Sequence, residues 1–247
     1  MRAKNKRLPL PDLGRSTMAL KRALDITGSA LGLLLLLPVL VIVAVIIKLD
    51  SPGPAFFRQE RVGQRGRPFR IFKFRSMGID AEGTALTVHA DKRITRVGFF
   101  LRRTKLDELP QLINVLAGDM SIVGPRPEVP EFMKFYTPHQ RAIILSMRPG
   151  MTDYAAILFR DESSLLGQGP NPVEIYRQQI MPIKFAYYDR YSREIGVLND
   201  LRIIFATILL LVAGRLPSWF GIDSELPTQP SLGSNEVEHQ SVLTGTP

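Results

Sequence analysis

The 247 residues contain no cysteine, which excludes disulfides, thiolate metal sites and a thiol nucleophile together. Histidine is scarce as well. His89, His139 and His239 are scattered without ligand spacing, which argues against a zinc site. The sequence has no Walker A loop, no Gly-x-Gly-x-x-Gly, no Gly-x-Ser-x-Gly and no zinc-protease helix, and so departs from most soluble nucleotide enzymes and serine hydrolases. No internal repeat is present. Acidic residues are in deficit: 23 Asp and Glu against 32 Lys and Arg leave a net charge of +9. That sign suits an anionic partner, whether nucleic acid, lipid headgroups or phosphorylated small molecules.

One stretch lacks charge altogether. Residues 26–47 are free of Asp, Glu, Lys and Arg over 22 positions, with Pro38 near the centre. A hydrocarbon core of about 30 Å needs roughly 20 apolar residues as a helix, so length permits a simple span. The flanks argue against one. Arg2, Lys4, Lys6, Arg7, Arg15, Lys21 and Arg22 precede the stretch, and Lys48, Arg58, Arg61, Arg65, Arg67, Arg70, Lys73 and Arg75 follow it. Positive charge on both sides marks both as cytoplasmic. Pro38 lacks an N–H and its ring opposes the Leu34 carbonyl, which favours a kink. A re-entrant helix that returns both ends to one membrane face satisfies both constraints. The apolar run is too long for a signal peptide, and no small-x-small cleavage site follows it. Apolar sequence beside positive charge favours lipid and phosphate over DNA, and no nucleic-acid module is recognisable.

The chain divides into a basic flexible arm (1–17), the membrane element (18–50), a catalytic domain (51–222) and a Ser-, Pro-, Thr- and Glu-rich tail (223–247) expected to be disordered. Two apolar runs around Gly63 to Gly66 predict a small β-hairpin. Residues 78–91 read as mobile, and 94–105 as a helix. The spacing of Leu109, Leu112, Ile113 and Leu116 predicts a short helix ending at Gly118. Helix is expected over 131–136, 137–147 and 173–191, with irregular structure over 151–171. Residues 203–213 are apolar but too short to span, so they pack in the core or lie in the membrane interface. The fold class is α+β, mainly helical: a monotopic membrane protein with amphipathic interfacial helices.

Chemistry concentrates in LRRTKLDELPQL. Asp107 and Glu108 open the predicted helix just after Arg102, Arg103 and Lys105. The pair reads as a helix cap, or as an ionised carboxylate suited to nucleophilic attack or magnesium binding, with arginines nearby for phosphate oxygens. In GDMSIVGPRPE, Arg126 is held between Pro125 and Pro127, either as an exposed turn residue or as a preorganised anion ligand. Lys73 and Arg75 alternate with Phe72 and Phe74 as on a strand, which usually means a solvated face and less often a phosphate site. Asp153 and the Arg160, Asp161, Glu162 cluster look like solvated loop charges, and Tyr187, Tyr188 and Tyr191 like packing residues.

The ordered set KRALDITGSALGLLLLLP, SPGPAFFRQERVG, FKFRSM, LRRTKLDELPQLINVLAGDMSIVGPRP, RPGMTDYA and DLRIIFATI resembles the bacterial sugar transferase family over about residues 18–213. These are monotopic polyprenyl-phosphate phosphoglycosyl transferases. The resemblance implies transfer of a phosphosugar from a nucleoside diphosphate sugar, a UDP-sugar being favoured, to polyprenyl (undecaprenyl) phosphate. The site is the cytoplasmic face of the bacterial inner membrane, and the step begins exopolysaccharide, capsule or O-antigen assembly. It implies Asp107 as nucleophile, Glu108 as its acidic partner with Mg²⁺, Arg102, Arg126 and Lys73 around the phosphates, and Pro38 at the membrane break. Departures are Leu37-Pro38 where many members have Ser-Pro, TDYAAI where many read TGLAQV, and no N-terminal block of transmembrane helices. A membrane-anchored scaffold protein is the alternative reading, and a homodimer is a reasonable prior.

Overall fold

The computed structural model describes residues 14–79, 86–87, 91–167 and 170–215. Of the proposed flexible arm (1–17), residues 1–13 lie outside those residues, as do the tail at 223–247 and most of the stretch expected to be mobile; Arg15, Ser16 and Thr17 are helical instead, the first residues of the long apolar helix.

A 36-residue helix, α1 (Arg15–Asp50), opens the described chain and contains Pro38. It is long and apolar enough to cross a membrane. The helix touches the rest of the protein at both ends. Near its start, Lys21, Asp25 and Ser29 are buried at four-residue spacing; near its end, Val43 and Ile47 are buried in the same way. Between these contacts Leu31, Leu34, Leu35, Leu37, Val41 and Ile42 are all more than half exposed. An arginine closes the helix. Arg75 donates to the carbonyls of Ile47, Ser51 and Pro52 just where the last turn runs out of partners.

The expected hairpin is present. β1 (Phe56–Val62) and β2 (Pro68–Phe74) pair antiparallel around a 3₁₀ turn at Gln64–Gly66, with Phe57 opposite Lys73 and Phe56 stacked on Phe74. The outer edge of β2 is covered by Asn114, whose side chain accepts from the Phe72 N–H and donates to the Arg70 carbonyl. Next, α2 (Arg96–Thr104) is capped by the Thr95 side chain. It lies so close to the preceding segment that a Cβ on Gly98 would stand 2.0 Å from the Ser76 carbonyl oxygen. α3 (Gln111–Ala117) ends at Gly118, in the left-handed conformation that glycine adopts most readily.

The remainder is a helical body around a small parallel pair. β3 (Ser121–Val123) is followed by α4 (Pro130–Met133) and α5 (Pro138–Ser146), which carries a Thr137/Gln140 capping box. β4 (Gly150–Thr152) then pairs with β3, Gly124 and Gly150 passing so close that neither has room for a Cβ. Residues 151–171, expected to be irregular, therefore contain a strand and two helices of five residues, α6 (Tyr154–Leu158) and α7 (Glu162–Leu166). α8 (Pro172–Ile175), a π turn at Tyr176–Ile180 and α9 (Met181–Glu194) follow, with Pro182 tolerated in the first turn of α9. α10 (Val197–Ala213) extends the apolar 203–213 segment by a turn and a half. Tyr187, Tyr188 and Tyr191 are each about 1% exposed and pack in the main core, as their helical spacing suggested. On α10, Ile203 and Ala206 face that core, while Leu198, Phe205, Ile208 and Val212 are exposed. On α2, Leu101 is buried while Phe99 and Phe100 project outward.

α1 is part of this body. Lys21 Nζ lies 2.5 Å from Asp200 Oδ2 and also donates to the Val123 carbonyl at 2.9 Å. Asp25 accepts from the Ser121 hydroxyl and the Ile122 N–H. At the far end, Val43 and Ile47 share a small core with Phe74 and Leu101.

Candidate active site

The two carboxylates adopt a different local structure from the one expected. Lys105 takes a left-handed conformation (φ 59°) that ends α2, and Leu106–Glu108 form a 3₁₀ turn ahead of α3. Neither acid caps α3, whose N-cap is Pro110, and the capping reading is thereby overturned. The turn points Asp107 and Glu108 into the protein. Asp107 is 6% exposed, and its Oδ1 is buried with no hydrogen-bond partner among the described residues. A buried polar atom in that condition normally requires an explanation.

Glu108 is the opposite case. Arg126 forks it, Nη1 donating to Oε2 at 3.1 Å and Nη2 to Oε1 at 2.5 Å, while Lys73 Nζ donates to Oε1 at 3.0 Å. Burial pushes the Glu108 carboxyl upward, but Arg126 and Lys73 outweigh it and hold the group well below the usual carboxylate range. Asp107 moves the other way: burial and the adjacent Glu108 charge raise it, against Lys73, Arg102 and Lys105. The Lys73 ammonium is lowered to about 8, burial prevailing over the Glu108 charge. The structure thus brings Lys73, Glu108 and Arg126 into direct contact beside Asp107. Arg102, on the last turn of α2, acts on Asp107 through its charge, and its guanidinium makes a long 3.4 Å contact to Ser76 Oγ. Pro38 lies inside α1 and is not part of this cluster.

Sequence reading missed two residues that hold the Arg126-Pro127 segment. Asp153, expected to be a solvated loop charge, is 1% exposed. Its Oδ2 accepts from the Arg126 N–H and its Oδ1 from the Ala156 N–H. Burial pushes this carboxyl up to about 6, against those hydrogen bonds and the charges of Lys184 and Arg126. Arg61 donates to the Pro127 carbonyl, and burial together with Arg126 lowers it to about 10. Glu162, also expected to be solvated, pairs with the buried Lys184 at 2.7 Å. An Asp placed just before the apolar Tyr154–Leu158 segment is an N-cap signal for α6. Nothing local in the sequence joins it to Arg126.

The donor set suits a hard cation at one residue. Among the described residues no group of three or more His, Cys, Asp or Glu converges. Both Glu108 oxygens are engaged by Lys73 and Arg126, which leaves the Asp107 carboxylate, with no hydrogen bond to its Oδ1 among the described residues, as the acid open to an ion. Magnesium is commonly held by one or two carboxylates, with substrate phosphates and water completing its octahedron, and Asp107 fits that pattern.

Residues 16–214 match the family model described as bacterial sugar transferase. The chain belongs to that family. Relatives include the exopolysaccharide production protein PSS of Rhizobium leguminosarum bv. phaseoli, 42% identical over 209 residues, an alignment covering 78% of this chain and 94% of the relative. The UDP-glucose:undecaprenyl-phosphate glucose-1-phosphate transferase of Escherichia coli (strain K12) is 42% identical over 76% of this chain and 39% of its own length. A UDP-N-acetylgalactosamine-undecaprenyl-phosphate N-acetylgalactosaminephosphotransferase of Aeromonas hydrophila is 36% identical over 79% of this chain and 44% of its own length. The chain thus spans less than half the length of these last two relatives.

Proposed function

We propose that the chain is an enzyme, a phosphoglycosyl transferase that moves a phosphosugar from a UDP-sugar to undecaprenyl phosphate through an aspartyl-phosphosugar intermediate. The product would begin the assembly of an exopolysaccharide, capsule or O-antigen. Asp107 carries this reading: a buried carboxylate with an oxygen unpartnered among the described residues, beside a Glu108 engaged by two cations. Names of relatives that act on undecaprenyl phosphate support the substrate class.

A diphosphate repels an attacking carboxylate, so the site must supply positive charge before reaction is possible. Arg102, Lys73 and Arg126 supply it from the protein, and Asp107 would hold a magnesium ion whose charge would add to theirs. One Asp107 oxygen then attacks the phosphorus beside the sugar. The new O–P bond forms as the diphosphate bridge breaks, and UMP leaves with the bridging oxygen. An oxygen of polyprenyl phosphate attacks the same phosphorus in the second step, regenerating the carboxylate and releasing polyprenyl diphosphate sugar. Glu108 fixes Lys73 and Arg126 in place throughout.

The membrane geometry follows the same reading. A 36-residue helix is about 54 Å long if straight, well beyond the hydrocarbon core. Both of its ends contact one body, which favours a re-entrant path over a span that would separate them. The outward Phe99 and Phe100 of α2 and the exposed apolar face of α10 belong at the bilayer interface, with the catalytic body on the cytoplasmic side. The active site then lies at headgroup depth, where a lipid phosphate is found.

The test is nucleotide release from a panel of UDP-sugars, with undecaprenyl phosphate and Mg²⁺ in detergent, for wild type and Asp107→Asn. UMP from the wild type, with a loss on the order of 10⁴-fold or more in the folded variant, is the expected result. Equal release by both proteins overturns the role of Asp107. No release from any UDP- or GDP-sugar by folded wild type favours a membrane-anchored scaffold.

A further inference from the structure

In Pro125-Arg126-Pro127 only the arginine has a main-chain N–H, because proline lacks one. The segment leaves the β3–β4 pair immediately before this point: the last sheet-like contacts are Gly124 N–H to the Thr152 carbonyl and Gly150 N–H to the Pro125 carbonyl. From there the chain turns toward Glu108, and the Arg126 N–H is taken by Asp153 Oδ2 at 3.1 Å. A helix N-cap needs one side-chain oxygen, and Asp153 spends Oδ1 on the Ala156 N–H at 2.6 Å. Its second oxygen therefore serves something other than the helix.

We infer that Asp153 is a positioning residue that braces the Arg126 backbone against the start of α6 and so aims the guanidinium fork at Glu108. The inference rests on the transferase reading for its catalytic consequence. The brace itself is independent of it. Charge supports the arrangement, since Asp153 is fully buried and faces the cations Arg126 and Lys184. The fork ties both Glu108 oxygens, so a tilt of the Arg126 backbone is passed directly to the acid beside Asp107. Loss of the brace leaves every side chain of the catalytic cluster present but misaimed.

Serine separates the two jobs of Asp153, because it caps helices about as well as aspartate but has a single oxygen. The experiment compares wild type, Asp153→Ser, Arg126→Lys and the double variant in three measurements: thermal melting, UMP release from the active donor, and hydrogen exchange at Arg126, the single main-chain amide of 125–127. For Asp153→Ser the melting temperature should stay within about 2 °C, Arg126 exchange should speed up at least tenfold, and kcat/KM should fall about ten- to hundredfold. In the Arg126→Lys background the same substitution should cost less than about threefold, because the fork is already gone. Wild-type exchange and activity in Asp153→Ser overturn the proposal, as does an equal loss in both backgrounds. Should Asp153→Ser not fold, Asp153→Asn carries the test: its single carbonyl oxygen serves only one of the two amides, so unchanged melting together with unchanged Arg126 exchange overturns the brace. If the wild type releases no nucleotide, the transferase reading fails, and the exchange measurement still decides whether Asp153 holds Arg126.

Discussion

Replacing Lys21 with methionine should destabilise the protein by about 3–5 kcal/mol, the usual cost of leaving one member of a buried ion pair alone. The Lys21 and Asp200 side chains are 8% and 1% exposed, with 2.5 Å between Nζ and Oδ2, so solvent screening offers little relief. Methionine nearly preserves the volume, which isolates charge from packing. After the substitution Asp200 keeps, among the described residues, the Tyr191 hydroxyl, 2.7 Å from Oδ1. For a chain of this size the loss corresponds to a fall in melting temperature of roughly 6–20 °C. The second arm is Lys21→Met with Asp200→Leu, which removes both charges. The Tyr191 hydroxyl hydrogen is then free for the Val123 carbonyl, 3.1 Å away, so the double variant should recover most of the loss. The pH dependence has a fixed sign. Burial already raises the Asp200 carboxyl against the pull of Lys21, and loss of the lysine raises it further. A raised native acid holds its proton where the unfolded chain has released it, so stability falls as pH rises through that window. The Lys21→Met deficit should be smaller at pH 5 than at pH 7. Melting followed by circular dichroism in detergent reads all three outcomes. A shift under 2 °C for Lys21→Met, or a double variant as weak as the single, refutes the reasoning.

Arg126→Lys removes the two-pronged contact to Glu108 but keeps the charge; kcat/KM for the donor should fall about ten- to hundredfold, and wild-type kinetics would show that the fork is dispensable. Gly98→Ala places a Cβ 2.0 Å from the Ser76 carbonyl oxygen, a backbone contact that cannot rotate away. It should cost about 1–3 kcal/mol and move Arg102 with α2, read as a lower melting temperature together with reduced activity. Because the chain has no cysteine, single cysteines at Arg15 and Gln59 report topology cleanly. Both should be labelled from the cytoplasmic side alone, and periplasmic labelling of either excludes a re-entrant α1.

Short-range chemistry made parts of this fold legible. The hairpin could be read because alternation and the Gly63 to Gly66 turn are local signals, and the same alternation placed Lys73. The Asp107-Glu108 pair stood out by charge, yet its conformation did not. The left-handed break at Lys105 carries no glycine to announce it, and the start of α3 slides from Asp107 to Gln111. Residues 151–171 looked irregular because β4 owes its strand form to β3, some thirty positions earlier, and five-residue helices are too short to show a period. Asp153 looked like a loop charge for a related reason. What buries it comes from α9 and the Arg126 segment, and its second hydrogen bond spans a sequence distance of 27 residues. The chemical assignments at Asp107, Glu108 and Arg126 drew on family resemblance; residue pattern alone favoured a helix cap for the acid pair and left an exposed turn as an even alternative at Arg126.

The grip on both ends of α1 bears on how this protein comes to exist at all. Val43 and Ile47 complete a core with Phe74 and Leu101, while Lys21 and Asp25 satisfy Asp200, Ser121 and the Ile122 N–H. A chain cut at residue 50 would therefore leave the body with an open apolar seam and a buried acid without its cation. The long helix α1 works as a wall of the body. Closure of the body therefore depends on α1 being in place, with Lys21 and Asp25 engaged near its start and Val43 and Ile47 near its end.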